Sequence, residues 1–288
     1  MSQSHRGTAN ALLGYPDDAR LLLVNADDFG MYAAINEAVI PALREGIARS
    51  TSLMAPCPGA AQAIDLLRAN PDISFAVHLS VIRDIPGYDW GPLAPKEQVP
   101  SLLAEDGKLY TTERMAEMLE RARLDELEIE FRAQIAAVLA SGLRPTHLDW
   151  HCLHSGGRAD IFAMTMALGR EYGLALRVAS QPFIDQVQQQ AFPTPDFDLL
   201  DSFALSLPDK AARYAALLRE LPAGLTEWAV HPSTGSVASQ AIDAEGWQVR
   251  RSDFDFLVSS EAREIIAAEG IILIGYAPLQ EAWRRRFA

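Results

Sequence analysis

The sequence predicts a single α/β domain built as an irregular (β/α) barrel of seven or eight repeating units. Three observations carry this expectation. Short apolar runs alternate with segments of helical period from residue 21 to residue 274, no linker divides the 288 residues, and polar residues gather directly after the apolar runs. A doubly wound open sheet is the architectural alternative. No GxGxxG or GxxxxGK[S/T] turn follows the first apolar run, so neither a dinucleotide nor a P-loop phosphate cradle is expected.

Taken in order, residues 1–18 hold no apolar signal-like core and read as a flexible N-terminal tail, leaving 19–288 as the barrel domain. Leu21, Leu22, Leu23 and Val24 predict a strand over 21–25 that is buried on both faces. A helix over 33–44, kinked at Pro41, comes next, then a strand over 50–55, a helix over 60–69 and a strand over 73–79. Between 82 and 112 the pattern fails, because Pro86, Gly87, Pro92, Pro95, Pro100 and Gly107 block long elements. Such a segment reads as a lid or binding loop. Residues 113–141 predict two helices that break near Leu124 and Asp125 and end at Gly142. A fourth strand over 146–151, a helix over 158–172 and a short strand over 175–178 follow, with another strand expected over 200–205. The segments 211–221, 226–230, 260–269 and 271–274 continue the alternation.

Charge and cysteine usage narrow the function. With 25 Lys plus Arg against 38 Asp plus Glu, the net charge of −13 repels phosphate backbones and anionic headgroups, so neither nucleic acid nor a membrane is an expected partner. No run approaches the ~18 apolar residues of a membrane span. Cys57 and Cys152 form no CxxC pair, which fits a reducing, cytoplasmic setting.

In parallel β/α proteins, active sites lie at the carboxyl ends of the strands. Here the residues that end the predicted strands are Asp27-Asp28, His78, the segment 147–151, and His231. The Asp27-Asp28 pair reads either as a helix cap or as a division of labour, one carboxylate on a metal and its neighbour on a water. His78 alone reads as a core histidine. Together with Asp28 and His151 it makes a donor set for a catalytic divalent ion, Zn or Mg, with open positions. Alternation along 147–151 puts His147, Asp149 and His151 on one face and Leu148, Trp150 and Cys152 on the other. On that basis Cys152 is a packing residue and Asp149 an acceptor that fixes an imidazole tautomer, with His147 a neighbouring support. His154 lies beyond the strand, in a turn. His231, four residues after Glu227 and on its face, suits a general acid.

These blocks resemble the YdjC-type carbohydrate deacetylases, which include chitooligosaccharide and hopanoid-biosynthesis deacetylases. The resemblance rests on Asn25-Ala26-Asp27-Asp28-Phe29-Gly30, Ser50-Thr51-Ser52-Leu53-Met54, Val77-His78-Leu79, Pro145-Thr146-His147-Leu148-Asp149-Trp150-His151 and Glu227-Trp228-Ala229-Val230-His231-Pro232. It implies a distorted TIM-like barrel and one divalent metal on Asp28, His78 and His151. It also implies Asp27 as general base, His231 as acid, and removal of an acetyl group from an N-acetylated amino sugar or glycoconjugate. The sequence departs from the family pattern at Trp150 and Cys152, where many relatives have Ser and a His-rich run, and at Ser233, which leaves the particular sugar open. In the 82–112 segment, Tyr88, Trp90 and Tyr110 are the candidate sugar-binding aromatics. The same metal rim could also cleave another ester or a phosphoester. A non-catalytic sugar binder would lack Asp27 or a ligand, and none is missing. No GxSxG elbow offers a serine route. A homodimer is the candidate assembly.

Overall fold

The computed structural model of the chain describes residues 8–287. Its first half runs α1 (Thr8–Leu13), β1 (Arg20–Phe29), α2 (Ala33–Arg44), β2 (Ser50–Leu53), α3 (Ala60–Ala69), β3 (Ser74–Leu79), β4 (Ile82–Arg83), β5 (Tyr110–Thr111), α4 (Met115–Arg121) and α5 (Leu124–Ala140). The second half runs β6 (His147–Trp150), α6 (Ala159–Tyr172), β7 (Ala175–Leu176), α7 (Phe183–Gln189), β8 (Leu200–Asp201), α8 (Lys210–Arg219), β9 (Gly224–Val230), α9 (Val237–Ile242), α10 (Trp247–Leu257), α11 (Ser260–Ala268), β10 (Ile272–Ile274) and α12 (Tyr276–Phe287).

Seven strands lie side by side in the order β7-β6-β3-β2-β1-β9-β8, and every neighbouring pair is parallel. β1 is the axis of the sheet. One edge pairs with β9 from Arg20 to Ala26, while the other is divided between β10, opposite Leu21 to Leu23, and β2, opposite Asn25 onward. Because all strands run the same way, their carboxyl ends share one rim.

The expected barrel is therefore present only as a curled parallel sheet. The end strands β7 and β8 have two residues each and do not pair with one another. A single backbone hydrogen bond, Leu199 N to Ala179 O at 2.8 Å, joins the segments just outside them. Strands this short carry too few backbone groups to extend a ladder across the seam.

Most of the expected helices and strands appear with shifted ends, and the break between α4 and α5 falls at Ala122 and Arg123. Two segments differ more. Residues 82–112, expected to be a lid or binding loop, are packed onto the domain: Val99, Leu102, Leu109 and Tyr110 are fully buried. Carboxylates of α5 pin this segment, Glu130 accepting from Leu93 N at 3.0 Å and Ala94 N at 2.8 Å, and Glu126 accepting from Ser101 N at 2.6 Å. The second difference lies in the expected tail, of which residues 1–7 fall outside the described residues. Residues 8–13 form α1, with Ala9 and Asn10 fully buried. The Asn10 side-chain amide donates to Pro16 O at 2.9 Å and Ala19 O at 2.8 Å, while Ala9 N donates to Asp196 Oδ1.

Asn10 thus serves as a clamp on the approach to β1. Asn10→Ala leaves the part-buried carbonyls of Pro16 and Ala19 without their donor, which costs about 1 kcal/mol. A lowered melting temperature with an unchanged far-ultraviolet circular dichroism spectrum is the expected result, and an unshifted melting curve would refute the clamp.

Candidate active site

In a regular strand, Asp27 and Asp28 would point to opposite faces. Two irregularities turn both toward the rim. The register of β1 against β2 slips between Ala26 and Phe29, and Asp28 has φ 66°, a left-handed conformation that non-glycine residues adopt only when their surroundings hold them there. Both carboxylates then line one cavity of about 340 Å³, together with His78, Asp84, His151 and His231.

Asp28 faces two imidazoles. Its Oδ1 is 3.1 Å from His151 Nδ1 and 3.5 Å from His78 Nε2, and its Oδ2 accepts from Arg250 Nη1 at 2.7 Å. His78 and Asp149 are register partners on β3 and β6, so their side chains rise on the same side, and His78 Nδ1 lies 2.8 Å from Asp149 Oδ1. That bond fixes the ring and leaves Nε2 for the Asp28 side. One ligand atom each of Asp28, His78 and His151 lies within 4.8 Å of the others, and all three residues are buried. Two imidazole nitrogens and a carboxylate oxygen, one ring already oriented from behind by Asp149, suit a catalytic divalent ion.

Electrostatics follow from burial and its compensation. Burial works to neutralise Asp28, but Arg250 and the two histidines outweigh it and hold its pKa well below the usual carboxylate range. Burial also disfavours charge on His78, yet Asp149 overrides it and raises the pKa to about 9. His151 is raised well above its ordinary value because Cys152, Asp84 and Asp28 overcome the same burial penalty.

Asp27 takes no part in that set. Arg177 grips it in a two-pronged bond, Nη1 to Oδ2 at 2.7 Å and Nη2 to Oδ1 at 2.8 Å, and the Asn25 side-chain amide donates to Oδ1 as well. Burial pushes the Asp27 carboxyl up, and Arg177 more than reverses this, so the group stays ionised. Arg177 also meets Asp149 at 3.1 Å and Glu227 at 2.8 Å. Behind it, Tyr276 donates to Glu227 Oε2 at 2.7 Å and stacks on His147 with ring centroids 3.4 Å apart. Burial lowers His147 to about 3, so it remains a neutral support beneath the site.

His231 stands across the cavity. Its Nδ1 lies 2.8 Å from Ser202 Oγ, its backbone N donates to Asp253, and Phe203 packs edge-on at 4.9 Å.

Other expected residues fall elsewhere. Trp90 is buried behind His151, 5.9 Å from it edge-on, and Tyr88 packs on Trp90 while its hydroxyl donates to Met31 O. Tyr110 is fully buried with the 82–111 segment. None of the three is on the wall of this cavity, whereas His154 is. Cys152 also lines it, contrary to the alternation argument, because β6 ends at Trp150 and Cys152 has φ 60°.

Sequence reasoning missed Asp84, Arg177 and Arg250. Asp84 directly follows β4, which the sequence reading did not trace, and Arg177 directly follows β7, which ends two residues earlier than the strand expected over 175–178, so that reading put Arg177 inside the strand and not at its end. Arg250 sits inside α10, where the sequence gives no comparable cue.

A family model described as YdjC-like protein matches residues 21–268. The chain belongs to the YdjC-like family. Among curated relatives, it is 29% identical over 266 residues to a carbohydrate deacetylase of Enterococcus faecalis, covering 90% of this chain and 97% of that one. A carbohydrate deacetylase of Thermoanaerobacter pseudethanolicus is 27% identical, covering 91% and 100%. A chitooligosaccharide deacetylase of Serratia marcescens is 29% identical, covering 90% and 99%. In three dimensions, this YdjC-like chain is similar to a crystal structure from Enterococcus faecalis V583, provisionally described as a cellobiose-phosphate cleavage protein. The TM-score is 0.76 at 28% identity, covering 91% of this chain and 99% of that one.

The raised imidazoles make metal binding a proton exchange. At pH 7 an ion entering the Asp28–His78–His151 set would have to displace protons from both rings, so its affinity should rise with pH up to and through about 9, where His78 loses its proton. Calorimetry in buffers of different ionisation enthalpy should show net proton release at pH 7, and less in Asp149→Asn. An affinity flat from pH 6 to 9 would contradict this.

Proposed function

We propose that this YdjC-like chain is a hydrolase that removes an acetyl group from an N-acetylated sugar or glycoconjugate, using one divalent ion, Zn²⁺ or Mg²⁺, on Asp28, His78 and His151. The observation that carries this reading is the divided labour of adjacent carboxylates. Asp28 faces the two imidazoles, while Asp27, turned to Arg177, reaches the same cavity as an ionised group of its own. The relatives named as carbohydrate deacetylases supply the sugar and the acetyl group.

A bound divalent ion would polarise the acetyl carbonyl and acidify a water at its open positions. Asp27, oriented by Arg177 and Asn25, accepts the proton of the attacking water. Acting as an imidazolium, His231 donates its Nδ1–H to Ser202 Oγ, which aims the ring so that Nε2–H can be delivered to the leaving nitrogen. Acetate and a free amine result, with no covalent enzyme intermediate.

The charge on the wall favours an amide over a phosphoester. Among the described residues, Arg177 is the one Lys or Arg lining this cavity, and it is committed to Asp27, Asp149 and Glu227. A phosphate would instead meet Asp27, Asp28, Asp84 and Asp201.

The direct test is a panel of N-acetylated mono- and oligosaccharides and glycolipids, assayed for acetate and free amine with and without chelator. Release of both products, lost with chelator and restored by Zn²⁺ or Mg²⁺, is expected; no release from any member would sink the reading. Two variants probe the roles. His151→Ala should lose both bound metal and turnover. Asp27→Asn should bind metal nearly as well as the parent while kcat falls by about 10²-fold or more, and loss of metal in this variant would exchange the roles of Asp27 and Asp28.

A further inference from the structure

A second donor set shares His151. Instead of turning away, Cys152 is brought back beside the ring by its left-handed backbone, and one ligand atom each of Asp84, His151 and Cys152 lies within 4.8 Å of the others. His151 Nδ1 faces Asp28, and Nε2 stands 3.2 Å from Asp84 Oδ1. Both atoms are shielded from solvent, and neither makes a hydrogen bond. His151 is itself only 3% exposed. The ring nitrogen and the carboxylate oxygen have no partner but each other, and with the sulfur beside them they make a place for one electropositive group.

We propose that Asp84, His151 and Cys152 form a second metal site, selective for thiophilic ions such as Zn²⁺, Co²⁺ and Cd²⁺, in competition with the Asp28–His78–His151 set. Selectivity comes from the sulfur: a thiolate suits borderline and soft ions, whereas Mg²⁺ keeps oxygen ligands. Competition comes from the shared ring. A neutral imidazole has one proton and one lone pair, so His151 serves one ion at a time. Binding here releases both the thiol proton of Cys152 and the imidazolium proton of His151 to solvent and draws His151 away from Asp28 and His78. The ion enters from the cavity, which Asp84 and Cys152 both line. A thiophilic ion therefore lowers turnover to the extent that it occupies this site in place of the Asp28–His78–His151 set, and Mg²⁺ does not. The site is independent of which bond the enzyme cleaves.

Cobalt reports the sulfur directly. Purified protein titrated with Co²⁺ should show thiolate-to-cobalt charge-transfer absorption in the near ultraviolet. The band should persist in Cys57→Ser and vanish in Cys152→Ser, which still binds cobalt through Asp28, His78 and His151. A second measurement needs no variant. Zn²⁺ or Cd²⁺ should slow alkylation of Cys152 by iodoacetamide roughly tenfold or more, read by peptide mass spectrometry, and Mg²⁺ should leave the rate unchanged. Cobalt-loaded parent protein without the band, a band that survives in Cys152→Ser, or equal protection by Mg²⁺ would each overturn the assignment.

Discussion

Arg177 is the interaction on which the rim depends. Standing just past β7, it reaches Asp27 on β1, Asp149 on β6 and Glu227 on β9, and it is almost wholly buried. A guanidinium is suited to this because it stays charged in a dry environment and offers donors in a fixed fork. Each carboxylate would be prohibitively expensive there alone, and so would the cation. Together they fix the ends of three strands that the backbone ladder joins only in part. The curl of the sheet and the aim of the site groups therefore have a common cause.

A second buried guanidinium repeats the arrangement one step outward. Arg250 holds Asp28 at 2.7 Å and Asp243 at 2.8 Å, with Asp84 at 3.7 Å. Around the two cations stand six carboxylates: Asp27, Asp149, Glu227, Asp28, Asp84 and Asp243. Positive charge is in deficit, and the raised pKa values of His78 and His151 are the protein's own answer to it. A divalent ion answers the same deficit. The excess of negative charge is thus a property of the whole charge lattice, of which Asp28 and Asp84 are among the parts that reach the cavity.

Much of this was legible in the sequence because it follows strand periodicity. Placing Asp27-Asp28, His78, Asp149 and His151 on one rim needed only the location of the apolar runs and the alternation of side chains. The rule failed where the backbone left regular geometry. Cys152 lies past the end of β6 with a positive φ, so counting by twos sent it to the wrong face. Asp27 and Asp28 reach the cavity together only through a register slip that no periodicity announces. Arg250 lies on α10, whose polar sequence hides that one face is buried, and the proline-rich 82–112 segment concealed its anchoring by Glu126 and Glu130. Local pattern carries the strands; long-range ion pairs are set by the tertiary structure.

The divided edge of β1 also sets an order of events in the life of the molecule. Its first residues pair with β10 at Ile272 to Ile274, about 250 residues further along the chain, and Tyr276, which completes the Glu227 network, follows at once. Contacts this distant along the chain form late, after the loop between them has been closed. Until the ribosome has released these residues, the leading half of β1 lacks a neighbour on one edge and Glu227 lacks a donor. The emerging chain can gather β1, β2 and β3 early, but the charge lattice of the rim closes only once residues 272–276 have joined it. Assembly of the site thereby waits for residues 272–276, and a product interrupted before them would carry the aspartates and histidines without the frame that aims them.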